Sequence, residues 1–133
     1  MTYLLDTNAC VELLGARDTT IAQKLTLIVP QEIRVCSVVK AELYHGAYKS
    51  QRREANLLLL QRFFECFDSL PFDDVAAEQY SRLRAFLAKQ GTPIGPNDLL
   101  IASIALANKV TLVTHNTREF ERIPGLDLAD WQS

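Results

Sequence analysis

Four places in this chain offer carboxylates where they could do chemistry: Asp6 after "TYLL", Glu42 in "VVKAELYHG", Asp98 after "TPIGPN", and Glu119, three residues past Asn116, in "VTLVTHNTREF". Oxygen donors with no matching histidine or cysteine set suit Mg²⁺ or Mn²⁺ and not zinc. The two histidines, His45 and His115, show no H-x-x-x-H spacing and are read as surface or packing groups. Two carboxylates roughly 5 Å apart repel by about 3 kcal/mol at an effective dielectric near 20, so a cluster of three or four demands a cation. Such a cage suits phosphodiester hydrolysis: one ion activates a water, a second stabilises the leaving oxygen, and a carboxylate can take the water's proton.

Each acid also has an ordinary explanation. Asp6 and Asp98 are both placed to cap a helix, a role that contributes about 1 kcal/mol. Glu42 alone is a solvated helix residue, and Glu119 alone is first-turn charge at a helix N-terminus. Thr7 and Asn8, just after Asp6, either cap the same helix or orient ligands and phosphate. Only a fold that brings the four together favours the chemical reading.

The surrounding pattern predicts such a fold. Residues 2–5 form a brief apolar strand that runs into the helix "DTNACVELLGAR", ended by Gly15. A second helix is expected over 19–29, stopped at Pro30. Residues 33–38 read as a strand, followed by helices in "VVKAELYHGAYKS" and "RREANLLLLQRFFECF", the latter with more apolar surface than one face needs and so a candidate contact for a partner. A short strand at 70–72 precedes a helix that sets Ala76, Tyr80, Leu83 and Leu87 on one face and stops at Gly91. "DLLIASIALAN" is apolar all round and must be buried, and 110–113 form the last strand. Strands alternating with helices imply an α/β sandwich with a mostly parallel sheet, helices on both faces and right-handed crossovers. Ligands bind beyond the carboxyl ends of such strands, where the acids recur.

The 133 residues suit one domain, 1–133, and an apolar share of 48% with 23% charged residues is that of a globular chain. The N-terminus carries no basic leader, and Asp6 and Glu12 interrupt its apolar run, so neither a signal peptide nor a membrane span is expected and the location is cytoplasmic. Cys10, Cys36 and Cys66 are odd in number and unpaired by any C-x-x-C, as buried reduced thiols would be. A net charge of −2 does not exclude nucleic acid, because four acids in one site would leave 12 acidic against 14 basic residues elsewhere.

"LLDTN", "VVKAELYHGAYKS" and "GPNDLLIASIALANKVTLVTHNTREFERIPGL", in this order and over nearly the whole length, resemble the PIN-domain ribonucleases, and among them the VapC toxins of bacterial toxin-antitoxin pairs. The resemblance implies a three-layer α/β/α sandwich and Mg²⁺- or Mn²⁺-dependent endonucleolytic cleavage of RNA, often structured RNA such as tRNA, which inhibits translation. It implies a homodimer silenced by a VapB-type antitoxin, whose C-terminal segment covers the active site while its N-terminal part binds DNA. The family's acidic positions fall on Asp6, Glu42 and Asp98. A further acid usual in the family is replaced here by Asn116, so Glu119 is taken as the fourth carboxylate, with Asn116 and Thr114 in support.

Lys40, Lys49, Arg52, Arg53, Arg82, Arg84, Lys89, Arg118 and Arg122 are candidate phosphate contacts, of which only those flanking the cleft are expected to matter. Two other readings stay open. A Mg²⁺-dependent phosphohydrolase would use a nucleophilic Asp, commonly with a second Asp two residues on, where this chain has Asn8. A binding module that has lost catalysis would be stabilised by Mg²⁺ yet cut no RNA.

Overall fold

The middle of the molecule is a three-residue strand, β1 (Tyr3–Leu5), whose Leu4 and Leu5 are fully buried. In the computed structural model, which describes residues 1–15 and 19–132, β1 pairs on one side with β2 (Ile33–Cys36) and on the other with β4 (Thr111–Val113). β3 (Asp68–Leu70) extends the sheet beyond β2, and β5 (Leu128–Ala129) beyond β4, giving the order β3-β2-β1-β4-β5 with every pair parallel. Helices flank the sheet in a three-layer α/β/α sandwich. The connections leave β1 toward β2 and later return to its other side at β4. The carboxyl ends of β1 and β4 therefore border the crevice where the strand order switches.

α1 (Thr7–Gly15) follows β1 directly; its expected stop after Gly15 meets residues 16–18, which lie outside the described residues. α3 (Ser37–Lys49) and α4 (Arg53–Phe64) pack on each other, as do α5 (Asp74–Gln90) and α6 (Pro96–Asn108). α6 buries Leu99, Ile101, Ala102, Ile104 and Ala105, as its all-apolar sequence demands. Its one interior hydroxyl, Ser103, is satisfied by donating to Leu99 O at 2.7 Å. On α5, Ala76, Leu83 and Leu87 are buried and Tyr80 is half-buried. On α4, Leu58 and Leu59 stay about half exposed, at 47% and 50%, the apolar surplus seen in the sequence.

The structure differs from expectation in local ways. The helix foreseen over 19–29 is only α2 (Thr20–Leu25), capped by Thr19, whose hydroxyl accepts the Ala22 N–H at 3.2 Å. At its end the Thr26 hydroxyl turns back to Gln23 O at 2.6 Å, and β-branched Thr26, Ile28 and Val29 do not prolong it. Pro30 opens a 3₁₀ turn (Pro30–Glu32). The strand foreseen over 33–38 ends at Cys36 because Ser37 and Val38 begin α3. The strand foreseen at 70–72 lies at Asp68–Leu70, and the Phe72 N–H donates to Ser37 Oγ at 3.2 Å instead of joining the sheet. Cys10 and Cys36 are buried thiols, and burial pushes Cys36 up to about 11, but Cys66 is exposed. Among the described residues no helix is long and apolar enough to cross a membrane.

α5 and α6 end in the same motif. After α5 the N–H of Gly91 bonds Ala88 O at 3.1 Å and that of Thr92 bonds Leu87 O at 3.0 Å. After α6 Lys109 bonds Leu106 O at 3.2 Å and Val110 bonds Ala105 O at 3.1 Å. Gly91 takes φ 71° without steric cost, whereas Lys109 adopts φ 55° with a Cβ. Lys109→Gly should therefore raise the unfolding free energy by up to about 1 kcal/mol in urea titration. A lower midpoint would contradict the cap assignment.

Candidate active site

Asp6 stands at the carboxyl end of β1 and caps α1: its Oδ1 accepts the Ala9 N–H at 2.8 Å, and its own N–H donates to Val113 O at 3.1 Å. The side chain is 5% exposed. Burial raises its pKa; hydrogen bonds from the Thr114 hydroxyl and the Ala9 N–H work against that, Glu42 adds to it, and His115 lowers it. Thr114, just past β4, is buried too, and its Oγ accepts the Asn116 N–H at 3.0 Å. A relay from Asn116 N–H through the Thr114 hydroxyl to Asp6 thus ties the ends of β1 and β4 together.

Glu42 lies on α3 and is half-buried, with Oε1 accepting the Thr7 hydroxyl at 2.8 Å. Thr7 therefore orients an acid from across the cleft. Asn8 is exposed and faces away from that contact, in a separate groove.

Asp98 is not the N-cap that its position suggested. Gly95 caps α6, Pro96 takes the first helical position, and Asp98 is the third residue, within the first turn. Its pKa rises to about 6, first through burial, then through the Glu119 charge and a hydrogen bond with Glu119, then through Asp6 and Glu42. Glu119 sits on the short α7 (Thr117–Phe120), with Oε1 accepting the Gly95 N–H at 3.0 Å and Oε2 accepting Asn116 Nδ2–H at 2.7 Å. A Cβ on Gly95 would lie 3.7 Å from Asp98 Oδ2 and 3.9 Å from Glu119 Oε1, so both carboxyl groups flank this one residue. The loop before it is held down from the same side, where Arg122 Nη1 donates to Pro93 O at 3.1 Å.

All four acids foreseen in the sequence are thus brought into one electrostatic neighbourhood at the switch point. Their oxygen-only donor set fits a hard divalent cation. As the side chains stand, hydrogen bonds from Thr7, Gly95 and Asn116 hold Glu42 and Glu119, and among the described residues no three acids are closed into a ready ligand cluster. An open groove of about 490 Å³, lined by Val38, Ala41, Glu42, His45, Asn97 and Leu100 among others, leads up to Glu42 from the α3/α6 side.

Several of the candidate cations engage neighbours on the surface of their own segment. Lys40 stands 5.3 Å over the Phe64 ring, Arg53 bonds Tyr48 O at 3.1 Å, Arg82 pairs with Glu78 at 2.7 Å, and Arg84 bonds the Tyr80 hydroxyl at 3.2 Å. Lys49, Arg52, Lys89 and Arg118 show no such contact among the described residues. Three features went unread in the sequence: the Arg122 strap, the place of Gly95 between two acids, and a pairing of His115 Nδ1 with both Asp130 oxygens at 3.1 Å. Each joins residues with no periodic relation, so no spacing rule marks it.

Residues 3–126 match the PIN domain family. The chain belongs to the PIN-domain family. Its relatives include the tRNA(fMet)-specific endonuclease VapC of Shigella flexneri, 39% identical over 131 residues that make up 97% of each chain, and Ribonuclease VapC2 of Rickettsia felis, 40% identical over 132 residues, 98% of each. Among solved structures, the R. felis VapBC2 complex bound to a promoter DNA fragment matches with a TM-score of 0.92 at 39% identity, over 98% of this chain and 99% of that one. VapBC-1 of nontypeable Haemophilus influenzae matches with a TM-score of 0.91 at 36% identity over the whole of both chains. The VapC ribonucleases are therefore close homologues of this PIN domain, with the same fold.

The raised pKa of Asp98 has a sign that can be checked. An acid whose folded pKa is about 6 against an ordinary 3.8 is costly to ionise in the fold; that cost is absent below 3.8 and fully present above about 6. Asp6 acts in the same direction. In EDTA, the melting temperature of the wild type should drop relative to Asp98→Asn as pH rises through this window, leaving the variant the more stable at neutral pH. Parallel curves across the window would refute the coupling.

Proposed function

We propose that this chain is a divalent-metal-dependent endoribonuclease, the toxin of a toxin-antitoxin pair, cutting structured RNA such as tRNA and so inhibiting translation. The observation that carries this reading is the meeting of four acids at the crevice between β1 and β4, where Asp98 and Glu119 flank Gly95 and Asp98 feels the charges of Glu119, Asp6 and Glu42. Four carboxyl groups that oppose one another's ionisation call for a cation. Without one, the Asp98–Glu119 pair holds a proton up to about pH 6.

Asp6, Glu42, Asp98 and Glu119 are the residues assigned to hold Mg²⁺ or Mn²⁺. When bound, such an ion supplies an activated water and offsets the charge that builds on the phosphodiester. The chain's own part is placement. Thr114 and the Ala9 N–H fix Asp6, Thr7 fixes Glu42, and Asn116 with the Gly95 N–H fixes Glu119. Preset carboxylates lose little rotamer freedom when the ion and the substrate arrive. The phosphohydrolase reading fits less well. A nucleophilic aspartate must reach its substrate, whereas Asp6 is 5% exposed with one oxygen engaged by a backbone N–H.

The partners follow from the relatives. VapC chains with this fold are seen in VapBC complexes on DNA, so a VapB-type antitoxin is assigned here, with DNA reached only through it. The groove beside Glu42 is assigned to the antitoxin's C-terminal segment, the exposed Leu58 and Leu59 on α4 offer it further apolar contact, and a homodimer and cytoplasmic location complete the reading.

The test uses protein freed of antitoxin, with unfractionated tRNA as substrate. Cleavage should require Mg²⁺ or Mn²⁺, stop with EDTA, and fall at least about a hundredfold in Asp98→Asn while the variant melts no lower than wild type. Glu119→Gln should cost far more activity than Asn116→Ala. Undiminished cleavage by Asp98→Asn would sink the site, and a larger loss from Asn116→Ala would move the fourth corner to residue 116.

A further inference from the structure

A second groove, of about 430 Å³, is lined by Asn8, Glu12, Thr19, Thr20, His115 and Gln132 among others. It adjoins the acids: Asn8 is two residues beyond Asp6, and His115 directly follows Thr114, whose hydroxyl bonds Asp6. The imidazole is held in place. Its Nδ1 faces both oxygens of Asp130 at 3.1 Å, and Asp130 Oδ1 also accepts the Gln132 N–H at 3.0 Å. Between them Trp131 anchors the chain end, buried to 6% with its ring 4.9 Å from that of Tyr3 on β1.

An Nδ1–H donated to a carboxylate makes Nε2 of the neutral ring an acceptor, on the edge directed away from Asp130. The remaining wall offers the hydroxyls of Thr19 and Thr20 and the carboxamide of Asn8. Among the described residues of this lining Glu12 is the one charged side chain beside the imidazole, and the hydroxyls and carboxamides around them suit neutral hydroxyl groups. We propose that this groove holds the ribose of a nucleotide flanking the cleaved bond, with His115 Nε2 accepting its 2′-hydroxyl, so that the His115–Asp130 pair is a specificity device for RNA over DNA. The inference rests on the nuclease reading above, and it gives that site a sugar contact separate from the four acids.

The experiment measures binding in EDTA, so that no cleavage is needed. A short fluorescein-labelled RNA hairpin and its all-2′-deoxy counterpart are titrated with the full chain free of antitoxin. The wild type should prefer RNA by roughly three- to tenfold, the worth of one hydrogen bond to a neutral group. His115→Ala should erase the preference by weakening RNA alone, with DNA affinity and melting temperature unchanged. Asp130→Asn, which frees the ring to turn, should weaken the preference part-way. A preference that survives His115→Ala, an equal loss on both hairpins, or no preference in the wild type overturns the proposal. If alanine unfolds the chain, His115→Phe keeps the ring's bulk without its acceptor and is expected to give the same loss. Failure of the nuclease reading shows separately, as an absence of tRNA cleavage by the wild type with Mg²⁺ or Mn²⁺.

Discussion

Mutual repulsion among Asp6, Glu42, Asp98 and Glu119 is the constraint that shapes the rest of the site. A parallel sheet whose connections reverse direction at β1 leaves a crevice there, and the chain fills its rim with acids from four separate elements. The most buried of them, Asp6, is the one most tied to the scaffold, with Ala9 and Thr114 donating to it. The Asp98–Glu119 pair carries the strain as a proton held up to about pH 6 at Asp98. Charge that cannot be spread through solvent is thus concentrated where a cation or a proton has to neutralise it.

Neutral donors, not cations, hold these acids. A threonine hydroxyl on Glu42, another on Asp6, a carboxamide and a backbone N–H on Glu119 orient the oxygens without cancelling their charge. No Lys or Arg is among the groups that shift Asp6 or Asp98. Lysines or arginines in those places would make the cleft self-sufficient and would lower its attraction for a divalent ion. Arg122 illustrates the division: it reaches a carbonyl of the loop that carries Gly95, setting the position of two acids without pairing with either.

The order of elements, the parallel sheet and all four acids could be read in advance because each depends on local pattern: apolar periodicity for the helices, β-branched runs for the strands, an acid just beyond them. Boundaries failed where tertiary contacts decide them. Phe72 left the expected strand because Ser37 offers its N–H an acceptor, and the helix from Thr19 stopped at Leu25 once Thr26 turned its hydroxyl back. β5 is two residues long and exists through pairing with β4, so no sequence window could reveal it. The capping alternative for Asp98 falls for a related reason: Gly95 and Pro96 together make a helix start, and the acid, relieved of capping, is free to face Glu119.

The asparagine at position 116 then has a physical rationale. Its Nδ2–H donates to Glu119 Oε2 at 2.7 Å while its N–H holds the Thr114 hydroxyl that bonds Asp6. An aspartate there could keep the backbone contact, but its side chain would set an anionic oxygen against Glu119 and add a further negative charge to a cleft in which Asp98 is already costly to ionise. Glutamate at 119 and an amide at 116 are therefore a matched pair: an acid one turn along α7 is met by a donor, not a second acceptor, at the helix start. The amide at 116 belongs to the way this crevice holds its charge, since it donates to Glu119 and adds no charge of its own.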